Sequence, residues 1–287
     1  MKTILFQFDT DPHPSTFDRV VAVDADVDHL FSYGGVTPEQ VEPLVHGAMF
    51  TRGPKDLAHT AIFIGGSNVG AGEKLLAKVS RTFFGPVRVS VMMDSNGSNT
   101  TAAAAVLSAR KHVALSGATA LVLGGTGPVG QRAAQLLAAE GAHVRIGSRT
   151  REKAEQTCRA VTTAVPSAKV APAATGNACE LAAACRDVSI IIAAGAAGAE
   201  LLPAELRRSL GALKVAIDLN AVPPAGIAGI EVMDKGAERD GVVCYGAIGV
   251  GGLKMKIHKA ALRRLFDAND QILDTAAIYR IGESLMS

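Results

Sequence analysis

Tryptophan is absent from the 287 residues, and aromatic side chains make up only 4% of them. The core must therefore be built from Val, Ile, Leu and Ala, which suit a buried parallel sheet covered by Ala-rich helices. An excess of one charge is missing as well. The 29 basic and 27 acidic residues leave a net charge of +2, too little to point to a nucleic-acid partner. No apolar run approaches the roughly 18 residues that span a membrane. The opening MKTILFQFDTD meets acidic residues before a signal-peptide core can form, so a cytoplasmic protein is expected. The four cysteines, Cys158, Cys179, Cys185 and Cys244, form no CxxC pair and have no histidine at ligand spacing. Free thiols and no metal site are expected.

Hydrophobic residues make up 48% of the chain and charged residues 20%, the balance of a packed globular protein. Residues 3–8, 61–64 and 87–93 have the pattern of strands. Thr37-Pro38-Glu39-Gln40 reads as a helix N-cap with Pro at the first helical position, and its helix is expected through about residue 45. A second helix is expected over 70–81. Residues 98–114 form an Ala-rich helical connector. From 119 onward strand and helix alternate: strands at 119–123, 143–146, 189–193 and 215–219, with helices at 127–140 and 152–161. That alternation predicts an α/β fold with a parallel sheet. Two domains are expected: residues 1–107, completed by helical residues 256–287 packing back on them, and a Rossmann-type domain over 108–255.

The second region opens with Gly125, Thr126, Gly127, Pro128, Val129 and Gly130, directly after the apolar strand ALVL. A lone GxGxxG is weak, but here it follows a strand and opens a helix, the context of a dinucleotide site. Gly125 is assigned to the tight turn and Gly127 to backbone approach to the pyrophosphate. Gly130 is assigned to close helix–strand packing. An NAD enzyme places Asp or Glu at the end of the second strand. Here that strand runs into Gly147, Ser148, Arg149, Thr150 and Arg151, and no carboxylate appears before Glu152. A hydroxyl with two guanidinium groups suits a 2′-phosphate, so NADP is expected, with Ser148, Arg149 and Arg151 as its ligands. Ala194 and Gly195 after the third strand, and Asn220 after the fourth, fall where strand ends should meet the nicotinamide half.

Fold does not give chemistry, and the more specific segments lie elsewhere. FQFDTD, TRGPKD, AIFIGG, FFGP, DSNGSNTTAAA, GTGPVG, NAVPPAGIAGIE and GGLKMKIH run through nearly the whole chain. At these residues the sequence resembles the bacterial NADP-dependent methylene-tetrahydromethanopterin dehydrogenases of one-carbon metabolism. The resemblance implies hydride transfer from methylene-tetrahydromethanopterin, and in some relatives also from methylene-tetrahydrofolate, to NADP. It places Phe17, Lys254 and His258 along the pterin. The loop Asp94, Ser95, Asn96, Gly97, Ser98, Asn99 and Thr100 falls on the substrate side. It also suggests a homo-oligomer, a trimer or hexamer.

The chemistry of the residues fits that reading. A carbon between two nitrogens can release a hydride while a nitrogen lone pair stabilises the cation, so no general acid or base is required. The sequence has no evident Ser/His/Asp array or carboxylate pair. Phe17 can pack on a flat pterin, and Asp18 either favours the developing charge or caps a helix. Lys254 and His258 share a face if their segment is helical. Glycines at 246, 249, 251 and 252 are expected to pack closely against cofactor or substrate. Two rivals stay open: an NADP dehydrogenase acting on a hydroxyl, with Lys254 or His258 as proton acceptor, and a non-catalytic NADP sensor.

Overall fold

The computed structural model describes residues 1–286. The chain divides into two compact units, residues 1–100 with 255–287, and residues 101–254. The division falls inside two helices, α4 (Ser98–Arg110) and α9 (Ala247–Arg264).

The first unit holds the strands β1 (Ile4–Asp9), β2 (His29–Tyr33), β3 (Thr60–Gly65), β4 (Ser90–Met93) and β12 (Ile272–Leu273). They form one sheet in the order β12-β4-β3-β1-β2, parallel throughout. Helices α1 (Thr16–Asp24), α2 (Val41–Phe50), α3 (Val69–Thr82) and α10 (Thr275–Ser284) belong to the same unit. β3 is buried at every position, and a strand covered on both faces must be apolar throughout, as TAIFIG nearly is. Its core joins Phe8, Ile62, Ile64 and Val91 to Val45, Met49, Leu75 and Val79 of α2 and α3. Because β1 pairs with β2 on one side and β3 on the other, the strand order reverses between β1 and β3. In open α/β sheets ligands bind outside the carboxyl ends of the strands at such a reversal.

The second unit carries β5 (Thr119–Leu123), β6 (His143–Ser148), β7 (Lys169–Ala174), β8 (Ile190–Ala193), β9 (Val215–Asp218), β10 (Lys235–Arg239) and β11 (Val242–Tyr245). Its seven strands lie in the order β10-β11-β9-β8-β5-β6-β7. Helices α5 (Pro128–Ala139), α6 (Arg151–Ala164), α7 (Ala178–Ala184) and α8 (Ala204–Ser209) alternate with them. All pairings are parallel except β10 with β11, an antiparallel edge hairpin that the alternation did not foretell. Its register is tight where it matters for ligands: Leu123 of β5 lies beside Ala193 of β8, and Ala193 beside Asp218 of β9.

Three local expectations change. Thr37-Pro38-Glu39-Gln40 is a turn closed by the Gln40 N–H on the Thr37 carbonyl at 3.1 Å, and α2 starts at Val41 without a side-chain cap. Pro38 sets the turn instead of the first helical residue. Helix α9 begins at Ala247, nine residues before the C-terminal helical segment was expected, and the short β12 interrupts that segment. Among the described residues all four cysteines are free, and burial pushes the Cys185 and Cys244 thiols up to about 11. No helix among them is long and apolar enough to cross a membrane.

Candidate functional site

In the second unit the glycine loop leaves β5 and turns at once. Gly124, outside the GxGxxG count, has φ +65°, and a Cβ there would stand 2.5 Å from Gly195 Cα. The turn therefore belongs to Gly124, since an L side chain is strained in the left-handed region. Gly125 serves a close approach instead: a Cβ on it would meet Ile146 Cγ2 and the Val122 carbonyl, both at 2.9 Å. Gly130 packs against the Gly124 carbonyl, 2.6 Å from where its Cβ would be. Gly127 differs, because its Cβ would meet nothing nearer than the Gly124 carbonyl at 3.4 Å. Gly127 caps α5 without a side chain and Pro128 opens the helix. Thr126 completes the turn, and the first-turn N–H groups of Val129 and Gly130 have no acceptor within the helix. Free N–H groups, the helix dipole and an unfilled space at Gly127 suit a phosphate.

The other strand ends join this loop. The Ala194 N–H reaches the Leu123 carbonyl at 2.9 Å, and the Leu219 N–H reaches Ala193 at 3.0 Å. Ala194, Gly195 and Asn220 thus lie along one carboxyl edge with the glycine loop. The Asn220 amide is committed to its own loop, donating to the Pro224 carbonyl at 2.9 Å and accepting from the Val222 N–H at 3.0 Å. Asp218 is almost fully buried and accepts from the Asn220 and Ile227 N–H groups, both at 3.0 Å. Burial holds its carboxyl above the ordinary range despite these donors.

At the end of β6, Ser148 is 7% exposed and its hydroxyl accepts from the Thr150 N–H at 3.3 Å. Arg149 and Arg151 are exposed. Arg151 pairs with Glu155 at 3.1 Å, one turn along α6. An exposed pair of this kind contributes only about 0.3–0.5 kcal/mol, so it does not bar Arg151 from a phosphate.

In the first unit two expected site residues, Phe17 and His258, come together with Phe63, which the sequence did not single out. The Phe17 ring lies 6.3 Å from His258, and His258 stacks on Phe63 at 5.7 Å. Phe17 is 50% exposed and His258 is fully buried, so Phe17 presents the open face and His258 backs it. Ser15 caps α1, its hydroxyl accepting from the Asp18 N–H at 3.2 Å. Asp18 is thus in the first helical turn and is not the cap. Lys254, the last residue of the second unit, lies four residues before His258 on the continuous α9 and is part-exposed.

The DSNGSNTT segment is mostly turned inward. Asp94 accepts from the Asn99 N–H at 2.8 Å, the Thr100 N–H at 3.1 Å and the Thr100 hydroxyl at 2.6 Å. Asn99 donates to the Met93 carbonyl at 2.6 Å and accepts from Thr275 at 2.7 Å. Ser95 donates to the Gly65 carbonyl, and Ser98 to that of Ser95. These side chains are nearly or fully buried and build the loop. Asn96, in the left-handed region at φ 56°, and Gly97 form its outward tip.

The glycines at 246, 249, 251 and 252 divide. Cβ atoms at Gly246 and Gly249 would run into the Glu231 and Asp234 carbonyls at 2.1 and 1.7 Å, so these two pack on protein backbone and not on a ligand. Gly251 and Gly252 meet nothing within 4 Å.

Sequence reasoning gave no role to Gly124, Asp9, Asp11 or Ser67. The signal for the acidic pair was two aspartates spaced by one residue at the end of a strand, just ahead of a Ser cap.

Residues 16–96 match the family described as methylene-tetrahydromethanopterin dehydrogenase, N-terminal. The chain is 44% identical over 286 residues, 99% of each chain, to a Methylorubrum extorquens protein named bifunctional protein MdtA. It is 34% identical over 302 residues, 98% of each chain, to the NAD(P)-dependent methylenetetrahydromethanopterin dehydrogenase of the same organism. Among solved structures it is similar to shikimate 5-dehydrogenase from Listeria monocytogenes in complex with shikimate and NAD (TM-score 0.56, 14% identity, 99% of this chain and 96% of that one). It is also similar to quinate dehydrogenase from Corynebacterium glutamicum in complex with NAD (TM-score 0.55, 10% identity, 99% of both). Those two likenesses speak for the Rossmann-type fold alone. On the near full-length identities, the chain belongs to the methylene-tetrahydromethanopterin dehydrogenase family.

Proposed function

We propose that this chain transfers a hydride from methylene-tetrahydromethanopterin to NADP, giving the methenyl compound and NADPH. What carries the reading is the 34% identity, over 98% of both chains, to a protein named for that reaction. The residues fit the cofactor. A Cβ on Gly127 would make only ordinary contacts, with the Gly124 and Ala194 carbonyls at 3.4 and 3.6 Å, at a helix N-terminus suited to the pyrophosphate. Ser148, Arg149 and Arg151 offer a hydroxyl and two guanidinium groups to a 2′-phosphate. Ala194, Gly195 and Asn220 form the adjoining edge for the nicotinamide half. When bound, the nicotinamide ring supplies the hydride acceptor.

Residues of the first unit, and Lys254, then bind and orient the reduced pterin. Phe17 offers a half-exposed aromatic face to the flat ring system. Asp18 favours the positive charge that develops on the carbon between two nitrogens. Lys254 disfavours that charge, so its role is to hold a carbonyl or acidic group of the substrate. Asn96 and Gly97 supply the outward tip of the loop after β4. Because no proton moves in the transfer, alignment is the main demand on the protein. We place residues 1–107 and 256–287 on the pterin side and 108–255 on the NADP side. The same reading carries a cytoplasmic homo-oligomer.

Full burial of His258 weighs against it as the proton acceptor that a hydroxyl substrate needs. Lys254→Ala tests that rival: it should raise KM for the pterin without introducing a steep pH dependence. Near-total loss of turnover with a steep pH profile would favour the hydroxyl reading.

A further inference from the structure

We infer that Asp9, which no ligand can touch, is a positioning residue that sets where Phe17 and Asp18 stand; this rests on the proposed pterin activity. Asp9 ends β1 and is 0% exposed. One carboxylate oxygen accepts from the Asp11 N–H at 2.9 Å. The other accepts from the Ser15 N–H at 3.0 Å and from the Gln7 amide at 3.4 Å. Ser15 is the residue whose hydroxyl caps α1 on the Asp18 N–H. A continuous path therefore leads from the buried carboxylate through Ser15 to the first turn of α1, which carries Phe17 and Asp18.

The neighbouring strand makes room for this arrangement. A Cβ on Gly65, the last residue of β3, would lie 3.0 Å from Asp9 Oδ2 and 3.6 Å from Asp18 Oδ2. Both carboxylates, and the Phe63 ring edge at 3.3 Å, thus border the same point at the reversal between β1 and β3. Asp11 ties the two loops, accepting from the Ser67 N–H at 2.9 Å and its hydroxyl at 3.0 Å. Three donors thus converge on one buried carboxylate, and both of its oxygens are used as acceptors. An amide at position 9 has one acceptor oxygen and would turn its own NH2 toward one of these donors.

The test is Asp9→Asn in protein labelled with 4-fluorophenylalanine, the Phe17 resonance being assigned by its loss in Phe17→Leu. The Phe17 line should shift or broaden while that of Phe84 stays in place. KM for methylene-tetrahydromethanopterin should rise about tenfold or more, the scale of a displaced positioning element. KM for NADP should stay within about twofold, and the increase should not add to that of Phe17→Ala, because the two act on one element. Ser15→Ala, which keeps the carboxylate and removes the cap, should shift the same fluorine line and serves where Asp9→Asn does not fold. Failure of the unaltered protein to turn over any reduced pterin would sink the proposed activity, and the fluorine line would still decide the role of Asp9. An unmoved Phe17 line in both variants, or equal losses toward pterin and NADP, would overturn the inference.

Discussion

The rings of Phe17 and His258, from the first and ninth α-helices, lie 6.3 Å apart at an inclination of 35°. One ring is half exposed and the other fully buried, so the two substitutions should separate binding from folding. Phe17→Ala should raise KM for the reduced pterin about tenfold, the worth of one aromatic packing surface. It should cost under about 1 kcal/mol of stability. His258→Ala empties a closed space beside Phe63 and should cost about 2 kcal/mol or more. Thermal melts alongside pterin titrations check both. A Phe17→Ala protein with unchanged pterin KM would remove Phe17 from the site.

Two glycines three residues apart should behave in opposite ways. Gly124→Ala forces a side chain into the left-handed region and against Gly195, so it should cost about 2–4 kcal/mol. Gly127→Ala meets no close neighbour and should leave the melting temperature nearly unchanged. It should weaken NADP about tenfold or more by filling the space offered to the pyrophosphate. Calorimetric binding and melting of the two variants check the contrast. Normal NADP binding by Gly127→Ala would place the phosphates elsewhere.

This pair also marks how far the sequence was legible. The glycine loop, its strand and its helix stood out because strand–turn–helix punctuation is local. Which glycine makes the turn was not legible, since it depends on Gly195, far away in the chain. DSNGSNTT marked an important place, yet its side chains mostly cap and brace the start of α4 through Asp94 and Asn99. Such internal use of Asp, Asn, Ser and Thr looks the same in sequence as ligand contact. The strands left unread are short or edge strands. β2, HLFSY, alternates around polar residues, and β7 carries Pro172, a residue tolerated only at a sheet edge.

Arg149→Ala should weaken NADP by about one to three orders of magnitude and leave NAD nearly unchanged, on charge-assisted bonds of about 1.5–3 kcal/mol each. Arg149 is exposed, so the fold should be unaffected. Dissociation constants for both cofactors check this. Equal losses for NADP and NAD would end the 2′-phosphate assignment.

Stability should depend on pH through Asp234. Arg239 grips its carboxylate in two bonds, at 2.6 and 2.7 Å, and holds it below the ordinary carboxylate range. A carboxyl depressed by folding contributes stability that is fully present above its unfolded value. That stability is lost as pH falls through the folded value. Asp234→Asn should therefore lower stability at pH about 7 by about 1–3 kcal/mol, and the gap should close on acidification below about pH 4. Melting curves of both proteins across that range check the sign. A gap that widens on acidification would contradict it.

Hydride transfer is tested most directly by the rate at which reduced nicotinamide, NADPH or NADH, forms in four mixtures: methylene-tetrahydromethanopterin or methylene-tetrahydrofolate, each with NADP or with NAD. The account predicts turnover of the methanopterin substrate with NADP, at a kcat/KM well above that with NAD. No turnover of either pterin with either cofactor, by protein that binds NADP, would contradict it.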